Sequence, residues 1–175
     1  MPTNELRSAL RAHTADSHDR LDRTVGRFDA IAPYRTYLQR THVFRSGMEA
    51  KLSTFSTWPS TDLASLLVQD LADLNSPVLP SVTIAGSDLC EGRRLGMAYV
   101  LEGSGLGARI LLRRATELGL TANYGARHLA KQTNDPARWR SFLTLLDTVP
   151  ENQFDGVLAG AELSFQFALS IYAES

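Results

Sequence analysis

Gly96-Met97-Ala98-Tyr99-Val100-Leu101-Glu102-Gly103-Ser104-Gly105-Leu106-Gly107-Ala108-Arg109 has the composition of a helix interior but more glycine than a helix tolerates cheaply. Each glycine in a helix interior costs roughly 1 kcal/mol against alanine. Gly103, Gly105 and Gly107 together therefore need a reason. Gly96, Gly103 and Gly107 are spaced seven and four residues apart, so a helix puts them on one face. A face without side chains lets something flat reach the backbone, and the cluster favours a bend at that point. Three readings compete: close packing of two helices, a nucleotide-binding loop, and a surface for a planar cofactor. Gly103-Ser104-Gly105-Leu106-Gly107-Ala108 formally fits G-x-G-x-x-A. That motif needs a preceding strand inside a βαβ unit, and the chain shows no parallel-strand pattern.

Outward from this stretch the chain reads as helices and short breaks. The glycine helix opens at Ser87 or Asp88 and ends at Leu118, with Gly119 as its C-terminal cap. Before it, Thr3 or Asn4 caps a first helix carrying Leu6, Leu10 and Leu21, which ends near Gly26. A second helix has Pro33 in its first turn and runs to about Trp58. A third is capped by Ser60 or Thr61, carries Leu63, Leu66, Leu67, Leu71 and Leu74, and stops at Asn75-Ser76-Pro77. Residues 75 to 86 read as a loop. After the glycine helix come a short piece near Ala126 to Lys131, a helix started by Asn134-Asp135-Pro136 and stopped by Pro150, and a last helix from Phe154 to Tyr172. Residues 1–175 thus read as one all-α domain of seven helices around one core.

Composition narrows the function classes. The chain has 175 residues, 43% of them hydrophobic, and a net charge of −1, which predicts a core needing no staples and no global attraction to nucleic acid or acidic membranes. Cys90 is the one cysteine, so no internal disulfide can form. No signal-peptide pattern follows Met1, and no run approaches the ~20 apolar residues of a membrane span. A cytoplasmic location is expected.

The first helix holds the candidate metal ligand. Arg11, Thr14 and His18 stand in one line at i, i+3 and i+7. His18 lies at the edge of the apolar stripe, where an imidazole can ligate a metal from the interior. A histidine hydrogen-bonded to solvent or to a carboxylate such as Asp22 is the commoner arrangement at such an edge, so spacing alone leaves both readings open. His13, His42 and His128 are weaker candidates. Glu-x-x-His pairs for a di-iron bundle and zinc-ligand spacings are missing from the sequence.

Thr14-x-x-x-His18 with Leu21-Asp22 resembles the proximal-histidine segment of heme oxygenases. Tyr99 through Gly107 resembles the distal helix of the bacterial branch associated with bacteriophytochromes. The order and helical context agree over nearly the whole chain. The resemblance implies a heme oxygenase-like bundle with a glycine-bent distal helix, opening heme to biliverdin, carbon monoxide and ferrous iron with oxygen and an external electron donor. It implies His18 as the iron ligand, with Thr14 in the same heme-binding segment. Gly103 and Gly107 become the distal glycines that crowd the heme, and Arg11 the residue holding a propionate. Ser104 stands where the animal enzymes carry an aspartate. Ala108 replaces a second glycine usual in the family and is expected to adjoin the distal pocket, where its methyl is either tolerated or crowds the heme. A bilin-binding phytochrome is the implied client. The rival is a non-catalytic member of the fold that binds heme or bilin or serves as an interaction module, and Ala108 is the feature that favours it.

Overall fold

Leucines at Leu63, Leu67, Leu71 and Leu74 are all buried, a spacing of three to four residues that only a helix turns to one side. The same logic recurs through the chain. The computed structural model describes residues 5–86 and 89–173. Its seven α-helices are α1 (Glu5–Val25), α2 (Ile31–Lys51), α3 (Ala64–Asp73), α4 (Glu91–Glu117), α5 (Arg127–Thr133), α6 (Arg138–Leu146) and α7 (Phe154–Tyr172), the last preceded by a 3-10 turn over Glu151–Gln153. Among the described residues no strand forms beyond isolated bridges at Thr121. The caps expected at Thr3 or Asn4 and at Ser87 or Asp88 lie outside the described residues.

Helix ends differ from the sequence expectation where side chains offer the backbone other partners. α2 stops at Lys51, not near Trp58. The Ser53 hydroxyl donates to the Ala50 carbonyl at 2.8 Å, a local bond that competes with the helix ladder. α3 begins at Ala64 and takes no cap from Ser60 or Thr61. The Glu49 carboxylate of α2 accepts from the Leu63 and Ala64 amides at 3.0 and 3.2 Å, and Asp62 accepts from the Ser65 amide. α6 starts two residues after Pro136. Gly26 and Gly119 sit past the ends of α1 and α4 with φ of +65° and +83°, the left-handed cap that glycine adopts freely.

The apolar interior divides into two clusters instead of one core. The first holds Leu95 to Leu101 of α4 with Phe44 and Met48 of α2 and Val157, Ala161 and Phe165 of α7. The second holds Ala108 and Ala115 of α4 with Tyr34 and Leu38 of α2, the α3 leucines and Leu129 of α5. α2 and α4 run through both, and the glycine stretch lies where α4 passes from one to the other. α7 is the common neighbour of α1 and α4.

Candidate functional site

His18 leaves the buried face of α1, on which Leu6, Leu10, Thr14 and Ser17 lie. Its side chain is 61% exposed, and Nδ1 lies 3.3 Å from the Asp22 carboxylate one turn on. Its ring also stands against Phe165 of α7, with centroids 6.1 Å apart. Asp22 thus stands beside one ring nitrogen on the exposed side of α1.

The glycines of α4, expected to share one bare face, have different surroundings. A Cβ on Gly96 would fall 2.0 Å from the Val157 carbonyl oxygen of α7, so that face is filled by protein. One on Gly103 would meet only the Trp139 ring at 3.8 Å, one on Gly105 only the Gln132 carbonyl at 3.9 Å, and one on Gly107 would find open space. Leu106 and Ile110, close to Gly103 on the helical wheel, are 60% and 55% exposed. A glycine-bared backbone flanked by two uncovered aliphatic side chains is suited to a flat apolar ligand.

Thr14 is buried and donates to the Leu10 carbonyl at 2.8 Å. It stands near the Tyr99 phenol of α4, as does Arg11. Burial pushes the Tyr99 phenol up from its usual range, with Arg11 and Thr14 partly offsetting it. Arg11 and Thr14 of α1 are thus close enough to Tyr99 of α4 to affect its phenol. Tyr99 had no assigned role in the sequence reading. Its position one turn before Gly103 was the signal that could have found it.

Two further assignments need restating. Ser104 turns its hydroxyl to the Leu101 carbonyl at 2.6 Å and accepts from the Gln132 amide of α5 at 3.1 Å. Ala108 is fully buried in the second cluster. Of the two alternatives, tolerated or crowding, the packing favours the first: position 108 lies about 140° from Gly103 and about 100° from Gly107 around the helix and packs on protein. Of the other histidines, His13 faces Glu162 at 3.9 Å, and His42 contacts Ser46 at 3.1 Å. His128, read as a loop or short-helix residue, is buried against Asp70 at 2.8 Å and Tyr37 at 3.3 Å.

A histidine helix and a glycine-interrupted helix sharing α7 as neighbour make an all-helical fold that solved structures contain. The heme oxygenase of Neisseria meningitidis, determined with NO and CO bound, superposes with a TM-score of 0.73 over 97% of this chain and 90% of that one, at 22% identity. No family model matches the chain. Two curated relatives do. Heme oxygenase PigA of Pseudomonas aeruginosa is 40% identical over 100 residues, covering 56% of this chain and 50% of the relative. The match thus spans about half the length of that protein. A heme oxygenase of Xanthomonas campestris pv. campestris is 34% identical over 130 residues, 70% of this chain and 76% of the relative. The chain belongs to the heme oxygenase family. Among the described residues, no helix is long and apolar enough to cross a membrane.

Proposed function

We propose that this protein binds heme between the C-terminal half of α1 and the glycine stretch of α4 and cleaves it oxidatively to biliverdin, carbon monoxide and ferrous iron. The single observation that carries the reading is the open backbone at Gly107, with Leu106 and Ile110 uncovered beside it, on a helix that shares α7 as neighbour with the His18 helix.

The residues divide the work. His18 holds the iron through its imidazole, with Asp22 beside Nδ1. Arg11 and the Tyr99 hydroxyl offer a cation and a donor to the substrate's carboxylates. Gly103 and Gly107 keep side chains out of the space over the ring, so that backbone sterics select which edge reacts. Phe165 supports the imidazole from below. Heme itself supplies the iron that activates oxygen. Electrons come from an external donor, and a bilin-binding phytochrome is the client that the family resemblance suggests. The rival, non-catalytic reading drew on Ala108, and burial of that methyl in the second cluster removes its support.

The test is His18→Ala mixed with hemin and then reductant in air. The exposed side chain can be removed without a packing cost, so the fold should persist. The histidine-ligated heme spectrum and conversion to biliverdin should both be lost. An unchanged spectrum, or the same loss from His42→Ala instead, would overturn the assignment.

A further inference from the structure

A side-chain contact to the glycine stretch comes from α5. Gln132 Nε2 donates to Ser104 Oγ at 3.1 Å, and Ser104 Oγ donates to the Leu101 carbonyl at 2.6 Å. Gly105 is next in the chain, and the Gln132 carbonyl sits 3.9 Å from where its Cβ would be. One α5 residue therefore touches α4 twice, by side chain and by backbone, between Gly103 and Gly107. A serine hydroxyl that bonds back into its own helix alters the local ladder and favours a bend.

α5 is itself fixed. The Asp70 carboxylate of α3, fully buried, accepts from the Arg127 and His128 amides at 2.9 and 3.1 Å and meets His128 Nδ1 at 2.8 Å. Tyr37 of α2 meets the other ring nitrogen at 3.3 Å, and Arg127 pairs with both Asp70 and Asp73. Burial pushes the Asp70 carboxyl up, but its hydrogen bonds to His128 and Arg127 outweigh this and hold it below its usual range. The carboxylate is thus matched to the end of α5 that it anchors.

We infer that Gln132 is a positioning residue of this enzyme: through Ser104 it sets the backbone path of α4 between Gly103 and Gly107 and so the placement of the reacting edge of heme. The inference rests on the heme-cleavage reading for its functional half. Gln132 meets α4 at Ser104 and Gly105 and borders the cleft that Leu106 also lines, and the role inferred for it runs through Ser104. Its loss should leave heme affinity alone and change what happens after binding.

The experiment uses the full chain as Gln132→Met, Ser104→Ala and the double variant. Three readouts separate the outcomes: amide hydrogen exchange over residues 103–107 without heme, hemin affinity by titration, and single turnover of bound heme with the ratio of biliverdin isomers. Each single variant should speed exchange over 103–107 while residues 92–98 stay protected. Hemin affinity should be unchanged, turnover about two- to tenfold slower, and the isomer ratio altered. The double variant should be no worse than either single, because both break one connection. Unchanged exchange, unchanged turnover and isomer ratio, or multiplying effects in the double variant would each overturn the inference. If the unsubstituted protein binds hemin and never yields biliverdin, the heme-cleavage reading fails instead. Exchange then still decides whether Gln132 holds α4.

Discussion

The two halves of α4 use the same residue for opposite ends. In the N-terminal half, Gly92 faces Gly156 of α7, while Gly96 and Gly160, each one helical turn further on, meet the backbone of Val157 and of Arg93. A Cβ on Gly96 would lie 2.0 Å from the Val157 carbonyl and one on Gly160 2.0 Å from the Arg93 carbonyl. Here the missing side chains let two backbones touch. In the C-terminal half, Gly107 faces nothing within 4 Å, and Ala108 and Ala115 carry the packing on the other side. Here the missing side chain leaves room for something that is not protein. Glycine in a helix signals close approach, and only the neighbour tells by what.

The largest effect should come from closing the interlocked half. Gly96→Ala sets a methyl against a backbone oxygen that cannot rotate away, so α4 and α7 must separate and the first cluster with them. Overpacking usually costs about 1–3 kcal/mol, and a backbone-to-backbone contact belongs at or above the top of that range. Urea unfolding measures it. Gly160→Ala should behave alike from the other helix. A Gly96→Ala variant as stable as the parent would remove the contrast between the two halves.

Acid should sharpen the contrast, because a buried histidine–carboxylate pair, His128 with Asp70, backs the second half. Burial pushes the His128 imidazole below its ordinary value, with Asp70 pulling it partly back. The unfolded chain takes up that proton near pH 6.5 while the folded chain resists, so the unfolded state binds more protons and stability falls as pH drops below about 6.5. His42 is lowered for the same main reason, with Glu49 opposing, and adds with the same sign. The Asp70 carboxylate, held low, contributes above its unfolded value and is lost only at much lower pH. Each histidine contributes at most about 1.4 kcal/mol per pH unit. Exchange in α5 should rise between pH 7 and 5.5 before exchange at Gly92 and Gly96 does. A pH-independent α5 would refute the assignment of this network as the support of the second half.

Ala108→Gly is the milder probe of the same half. The methyl is buried among protein, so its loss removes helix propensity and a little packing, about 1 kcal/mol. Turnover of bound heme should not change. A faster enzyme would mean that position 108 reaches the substrate after all.

Much of this was legible in the sequence because helical periodicity is a strong signal. Leu63, Leu67 and Leu71 mark α3, and Gly119 marks the end of α4. The end of α2 and the start of α3 were not legible, since the bonds from Ser53, Glu49 and Asp62 that set them depend on the folded backbone or a neighbouring helix. The proposed site drew on residue types legible in the sequence, His18 and the glycines, and not on their surroundings. Gly92-x-x-x-Gly96 and Gly156-x-x-x-Gly160 stood in the sequence as matched spacings. Nothing in one strand of text says that two such spacings face each other, and the reading placed Gly96 with Gly103 and Gly107. The buried state of Ala108 depends on α3 and α5, remote in sequence, and so was equally hidden.

The smallest change in stability should come at Gly107, with the opposite sign. No atom lies within 4 Å of the added methyl in Gly107→Ala, so helix propensity alone operates and the variant should gain up to about 1 kcal/mol. Gly107→Leu should also fold at least as well as the parent. Its side chain, however, would project into the space that the cleft offers to heme and oxygen. Turnover should therefore be abolished in Gly107→Leu while His18 still gives its ligated spectrum with hemin. Stability and activity then move in opposite directions at Gly107, whereas at Gly96 they fall together. That divergence is what a site built on an absent side chain predicts, and it needs both measurements on one variant. If Gly107→Leu turned heme over at the parental rate, the open face of α4 would be ordinary surface and the cleft would have to be sought elsewhere on the fold.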